Sequence, residues 1–483
     1  MNSLEHKNRE RRVPTSRIAR LASFAQLGFG LATGAAAEMI RRSFSGVLQV
    51  LQEENKTENS SNSWQSSFVT PANAEKIVLT LCKVRGAALK LGQMLSMQDP
   101  ETVSPVLLKI FERVRDSADF MPIRQVITQM RNNFGKNWAE NFTNFDEKPF
   151  AAASIGQVHR ATLLDGRKVA IKIQYPGVAH GIDSDIDNLI NIMNYTNFLP
   201  RGLFLQNFAD AIRQELKLEC DYKREARSMK VFRYLLRNDS EFYIPEVVDH
   251  LTTNQVLTAD FVEGMPLDKC AEEQQQVRDY IARKLIELCM KEIFIWRFMQ
   301  TDPNWSNFFL GRHPTTGEPR LVLLDFGASK SYSKNFIDSY MHILRGAYKK
   351  DKKKILKYSR EIGFLTGYES EIMNDAHCES IIILGETLAS TVPYDFSRQD
   401  VTKRIHRLIP VMLQHRLKAP PDEIYSLHRK LSGSFLLATK LQATVSCGPI
   451  FSNISENYNF GETSQMIDID SENCLEIVYN QLN

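Results

Sequence analysis

The sequence predicts an α+β protein, with a short strand-rich segment set between a helical N-terminal extension and a long, mostly helical C-terminal half. Three observations predict it. Apolar residues recur at helical spacing from Ala74 to about Gln98 (Ile77, Leu79, Leu81, Val84, Ala88, Leu89), and more helix follows to about Phe134. Val158-His-Arg-Ala-Thr and Val169-Ala-Ile-Lys-Ile read as two short strands, with Asp165-Gly166 between them as a hairpin turn signal. After Val277 the helical pattern returns, broken by a hairpin-like piece from Phe308 to Phe326 with Pro314 and Gly317 at its turn.

Composition bounds the rest. The 483 residues are 43% hydrophobic and 24% charged, which excludes a disordered chain, a collagen-like fibre and a polytopic membrane protein. The net charge of +3 is too small for nucleic-acid binding by bulk phosphate neutralisation. Seven scattered cysteines with no CxxC pair predict neither disulfide staples nor a zinc site, and fit a reducing compartment.

Residues 1–52 join a basic start to an uncharged Gly/Ala-rich run from Leu21 to Ala37. The basic start is a weak transit segment, because Glu5, Glu10 and Pro14 interrupt it. The 17-residue run sits at the lower limit of a membrane span, so a marginal span and a membrane-associating or buried helix both stay open. Gly30-Leu-Ala-Thr-Gly34 has the GxxxG spacing that lets two helices approach, which allows a homodimer. Residues 53–67 form a polar linker, and 68–135 a helical extension. A long helix is expected from Phe208 to Leu236, and Val256 to Val262 reads as a strand ahead of Gly264 and Pro266. Lys349, Lys350, Lys352, Lys353, Lys354 and Lys357 make a solvated helix face or a contact for anionic lipid. Residues 451–483 form an acidic tail, expected to be poorly ordered, because no Lys or Arg follows Lys440.

Four pieces carry chemistry in a meaningful order. Phe150-Ala-Ala-Ala-Ser-Ile-Gly-Gln-Val is a small-residue loop that lets backbone N–H groups approach phosphate oxygens. Lys172 stands on a half-buried strand, on the face opposite Val169 and Ile171, where an anion is needed to meet it. In Gln300-Thr-Asp302-Pro-Asn-Trp-Ser-Asn307, an Asp followed five positions later by Asn has the spacing of a kinase catalytic loop. Asp325, at the end of an apolar strand and followed by Phe-Gly, can hold Mg²⁺ against β- and γ-phosphate oxygens. Each alone has an ordinary structural explanation: a turn, an edge-strand lysine. Together they predict a bilobed, protein-kinase-like ATP-binding fold, with residues 136–265 as an N-lobe carrying an insertion and 266–450 as the C-lobe.

The chain resembles one family closely, the UbiB-type atypical kinases (aarF-domain-containing kinases), and within it the mitochondrial coenzyme Q subgroup. Lys90-Leu-Gly-Gln93 is similar to the family's KxGQ motif, and Ala151-Ala-Ala-Ser154 to its alanine-rich loop. Glu219-Cys-Asp221 resembles its ExD motif. Gln300 to Asn307 and Leu324-Asp-Phe-Gly327 resemble its catalytic and metal loops, while Val13 to Arg20 and Tyr425 to Lys430 point to the subgroup.

The resemblance implies roles. Lys172 would bind phosphate, with Glu225 as its helix partner and Glu219 as the runner-up. Asp302 would be the catalytic Asp, and Asn307 and Asp325 would hold the metal. Ala151, Ala152, Ala153 and Ser154 would cradle ATP, and Ala259, Asp260, Phe261 and Val262 would read adenine. Lys90, Gln93, Glu219 and Asp221 would lie over the site, where the extension fills the peptide groove of protein kinases. On one continuous helix, however, Glu219 and Asp221 stand about 200° apart, so both reach Lys90 only if the helix breaks near Cys220.

The implied partners are a small-molecule or lipid substrate such as a quinone precursor, coenzyme Q biosynthetic proteins and the matrix side of the mitochondrial inner membrane. No His-Arg precedes Asp302, no Ala-Pro-Glu follows Asp325, and 53 residues separate Lys172 from Glu225, all pointing away from peptide phosphorylation. Three readings follow: an ATP-dependent kinase or ATPase acting on a small molecule, lipid or water; a nucleotide-sensing scaffold with little turnover; and a true protein kinase.

Overall fold

A computed structural model of the chain describes residues 10, 13–14, 16, 18–27, 29, 71–84, 86–87, 90, 120–196, 205–302, 304–390, 392–398, 400–461, 465–471 and 473–482. Gln93, the Gly30–Gly34 spacing and the 53–67 linker lie outside them. The chain divides into two compact units, one of residues 1–220 with 255–258, the other of 221–254 with 259–483.

The first unit is built on an antiparallel sheet. Strands β1 (Phe142–Phe145), β3 (Gly156–Leu163) and β4 (Lys168–Gln174) lie in that order, followed by the first residues of β6 (Val256–Asp260), and β2 (Ala151–Ala152) pairs with β3. Alternation along β4 buries Val169, Ile171 and Ile173 completely and leaves Lys172 half-buried on the other face. Across the ladder the buried face receives Gln157 and His159. Their polarity is met by a relay: Met121 N donates to Gln157 Oε1 at 2.7 Å, the Gln157 amide bonds His159 Nε2 at 2.9 Å, and His159 Nδ1 bonds the Asp146 carbonyl at 2.8 Å. Burial pushes the His159 pKa down, so the ring is held neutral.

Helices α1 (Pro71–Val84), α2 (Ile123–Phe134), α3 (Val178–Thr196) and α4 (Leu205–Glu219) complete this unit. Residues 18–27 are also helical, with Phe24 and Leu27 buried. This helix docks on α3 through a buried Arg20–Asp185 ion pair, and a Cβ at Gly181 would strike the Arg20 stem. Ile18, Leu21 and Phe29 stay exposed. No described helix is long and apolar enough to cross a membrane.

The second unit opens with α5 (Tyr222–Leu235). The helix expected from Phe208 to Leu236 is in fact two, because Asp221 takes an extended conformation and caps α5 by accepting from Arg224 N at 3.0 Å. A four-stranded sheet runs β5 (Phe242–Tyr243), β10 (Pro319–Leu323), β9 (Phe308–Arg312), β7 (Met265–Pro266), and β8 (Phe298–Gln300) pairs with β11 (Ser329–Ser331). The hairpin expected from Phe308 to Phe326 is β9–β10.

Helices α6 (Gln275–Met290), α7 (Lys334–Tyr348), α8 (Lys352–Glu361), α9 (Glu371–Ala389), α10 (Val401–His415) and α11 (Asp422–Lys440) form the bulk of this unit. The lysine run puts Lys352, Lys353 and Lys357 on the exposed face of α8. The acidic tail is a correction to the expected loose end. It forms α12 (Cys447–Glu456) and α13 (Cys474–Leu482), and buries Ile467, Ile469, Cys474 and Val478. The cations missing from its own sequence come from α5: Arg224 bonds Asp470 at 2.7 Å and Arg227 donates to the Ile469 carbonyl at 3.0 Å. All seven cysteines are free.

Two imidazoles, His377 buried and His428 half-buried, make this unit acid-sensitive. Burial, with Arg416 adding, pushes His377 down to about 3 and His428 down to about 4. Both are neutral in the fold, whereas in the unfolded chain they protonate near pH 6.5. The unfolded state therefore binds more protons below that pH, so this stability is present above 6.5 and lost as pH falls toward 4. At about pH 5 each ring is expected to cost about 2 kcal/mol. Thermal denaturation from pH 7 to 5 measures it, and an unchanged Tm would show that the rings protonate freely in the fold.

Candidate active site

In the first unit the chemistry gathers around Lys90. Its side chain is 2% exposed, with Nζ 2.5 Å from Glu219 Oε1 and 3.6 Å from Glu215 Oε2. Glu219 Oε2 also accepts from Ser154 Oγ at 3.5 Å. The backbone repeats the connection: Lys90 N donates to Gly86 O, and Gly86 N donates to Ser154 O at 3.1 Å. The turn carrying Lys90 is thus tied to the Ala/Ser loop by main chain and side chain together. Gly86 needs its freedom here, since it sits at φ +44 with Val178 3.1 Å from where a Cβ would stand.

The break after Glu219 settles the 200° difficulty. Glu219 ends α4 and turns to Lys90, whereas Asp221 caps the next helix. Gln174, at the end of β4, donates to the Cys220 carbonyl at 2.9 Å and so holds the end of α4 against the strand that carries Lys172. Burial and the neighbouring Glu219 push the Cys220 thiol up to about 12, which keeps it from acting as a nucleophile. The expected open loop is also partly strand: Ala151 and Ala152 pair with Val158 and Gln157, and Ala153 N donates to Gly156 O at 2.7 Å.

In the second unit, backbone pairing brings three predicted residues together. Thr301 N donates to the Ala328 carbonyl at 3.2 Å and Thr301 Oγ1 to the same oxygen at 2.7 Å, setting Asp302 beside the segment that follows Asp325. Leu324 N donates to Asn307 O at 3.0 Å, setting Asn307 beside Asp325. Local turns aim the carboxylates. Asp302 Oδ1 accepts from Asn304 N at 3.1 Å, and Asp325 Oδ1 from Gly327 N at 3.0 Å. Phe326 anchors this loop, fully buried against Phe232 of α5 at 4.9 Å between ring centroids. Arg224 of α5 donates to the Ser329 carbonyl at 2.8 Å, and Glu225, 1% exposed, follows it in the first turn.

One carboxylate and one amide carbonyl suit Mg²⁺, which takes few protein oxygens and completes its shell with phosphate and water. Ala259 is buried at the end of β6, and Asp260, Phe261 and Val262 are half-buried beyond it; Asp260 N donates to the Glu246 carbonyl. The sequence reading missed three contributors. Glu215 lies one helical turn before Glu219, a spacing that could have revealed a second acid for Lys90. Glu292 and Lys430, a buried ion pair behind Gln300, left no local signal.

Comparisons with known proteins show the family and the fold. A family model described as the ABC1 atypical kinase-like domain matches residues 113–359. "Atypical kinase coq-8, mitochondrial" of Caenorhabditis elegans is 63% identical over 464 residues, covering 96% of this chain, which spans 60% of that relative's length. "Atypical kinase COQ8B, mitochondrial" of Danio rerio is 47% identical over 455 residues, covering 94% of this chain and 71% of the relative. Among solved structures, Rv3197 of Mycobacterium tuberculosis, in complex with erythromycin, shares the fold at a TM-score of 0.54 and 24% identity, over 82% of this chain and 97% of its own. The kinase-like α+β fold expected from the motifs therefore stands.

Proposed function

The chain belongs to the ABC1 atypical kinase-like family, and from that premise we propose that it binds Mg-ATP and transfers the terminal phosphoryl group to water or to a small, lipid-like acceptor in support of coenzyme Q biosynthesis. The observation that carries this reading is the convergence of Asp302, Asn307 and Asp325 through the 301–328 and 307–324 backbone bonds. Asp302 orients the acceptor hydroxyl and takes its proton as the new P–O bond forms and the bond to the departing ADP oxygen breaks. Asn307 and Asp325 would hold Mg²⁺, which would supply positive charge against the charge that develops on the transferring phosphoryl group. Lys172 would meet the phosphates. Ala151 to Ser154 approach them with backbone N–H groups.

Lys90, tied to Ser154 and Glu219, keeps the extension against the phosphate loop and supports a non-peptide acceptor. The relatives are named as mitochondrial proteins, which supports a mitochondrial location; we place the protein on the matrix side of the inner membrane, beside other biosynthetic proteins. Purified protein given ATP, with and without membranes and quinone precursors, tests the reading: turnover that rises with the precursors is expected. Strong phosphorylation of a peptide library would return the protein-kinase reading, and absence of turnover despite nucleotide binding would favour the scaffold.

A further inference from the structure

Behind Asp302 lies a charged assembly that the phosphoryl-transfer chemistry above does not use. Glu292 sits in a π-helical turn, Lys291–Ile295, and is wholly buried. Lys430 of α11 is 3% exposed and places Nζ 2.7 Å from Glu292 Oε2. The other Glu292 oxygen accepts from the backbone N of Gln300 at 3.4 Å, and Lys430 Nζ reaches Gln300 Oε1 at 3.5 Å. The preceding residue, Arg429, donates through Nε to the Thr301 carbonyl at 3.2 Å and lies 3.5 Å from Thr301 Oγ1. Two successive cations on one helix thus address the two residues that immediately precede Asp302. On the opposite side, Gln300 pairs with Ser329 and Thr301 with Ala328.

A buried ion pair is a poor device for stability, since well-packed apolar residues of the same volume commonly do as well. What an apolar pair cannot supply is an anionic acceptor for the Gln300 N–H together with a cation over the Gln300 side chain. Burial drives the Glu292 pKa up, and the Lys430 ammonium and the Gln300 N–H draw against it.

We propose that Glu292, Lys430 and Arg429 are positioning residues that clamp residues 300–301 from the buried side and so fix the Asp302 carboxylate for phosphoryl transfer. This rests on the Asp302 role proposed above. The clamp acts on geometry at the reacting centre, where a displacement of about 1 Å can cost about a hundredfold in rate.

The test uses the full chain carrying Glu292→Met with Lys430→Met, which removes both charges together and keeps the volume. The expected result is a parent-like Tm, unchanged affinity for a fluorescent ATP analogue and unchanged KM for ATP. The kcat should fall about ten- to a hundredfold, with faster amide exchange at residues 300–302. Parent kcat together with parent exchange would overturn the clamp. Should the double variant fail to fold, Arg429→Met decides: kcat should fall at constant nucleotide affinity and Arg429→Lys should restore part of it, whereas unchanged kcat would overturn the proposal. If the parent protein turns over no ATP, the proposed function fails on its own, and amide exchange at Gln300 and Thr301 in the same variants still decides the clamp.

Discussion

Asp302→Asn is expected to lower ATP turnover by about 10²- to 10⁴-fold, the range for loss of a positioned general base, while nucleotide still binds. The substitution keeps the shape of the side chain and an acceptor for Asn304 N, so the turn from 302 to 304 survives. What it removes is the charge that takes the acceptor proton. Asn307 and Asp325 are untouched, and the backbone bonds that place them pass through Thr301, Ala328, Asn307 and Leu324 rather than through the Asp302 side chain. Affinity for Mg-ATP should therefore stay within about twofold of the parent, since loss confined to kcat marks an interaction made in the transition state. Isothermal titration beside steady-state turnover separates the two. Coenzyme Q synthesis in cells that survives the change, with nucleotide binding intact, would show the chain to be a sensor rather than an enzyme.

Glu219→Gln is expected to destabilise the first unit by about 3–5 kcal/mol, because it leaves the Lys90 ammonium buried with a weakened partner. Glu215, at 3.6 Å, is too distant to replace a 2.5 Å contact. Lys90→Met should cost a comparable amount by stranding two carboxylates. The double variant, Lys90→Met with Glu219→Gln, should recover the Glu219 share of the loss but not all of it, since Glu215 keeps a buried carboxylate without the Lys90 charge. Urea denaturation of the parent, both single variants and the double variant closes the cycle. Additive losses would mean that the contact contributes nothing as a pair, and that Lys90 and Glu219 are held by other neighbours. The same variants report on the phosphate loop: Ser154 should lose its link to Glu219 in Glu219→Gln without losing its backbone bond to Gly86.

Much of the fold could be read along the chain because the signals were local. The β3–β4 hairpin announced itself through alternation and Asp165-Gly166, and Gly166 adopts the positive φ that such a turn requires. The β9–β10 hairpin did so through Pro314 and Gly317. The break between α4 and α5 was harder. Periodicity runs through Cys220 without interruption, and the decisive event is Asp221 capping Arg224 N, a choice that a helical pattern does not advertise. The order in the tail is hidden from the sequence for a related reason: its partners Arg224 and Arg227 lie some 240 residues upstream.

The sequence by itself determined the kinase-like motifs, their order, and the α+β class, because motif spacing and hydrophobic period are properties of neighbours in the chain. Only the tertiary structure decided that Lys90 faces Glu219, that Asn307 and Asp325 are set side by side by a backbone bond beyond the strand ends, and that Glu292 and Lys430 meet behind Gln300. Those pairings join residues far apart in the chain, and what selects them is the cost of burying a charge or a backbone N–H without a partner, which exists only once the surrounding surfaces have closed.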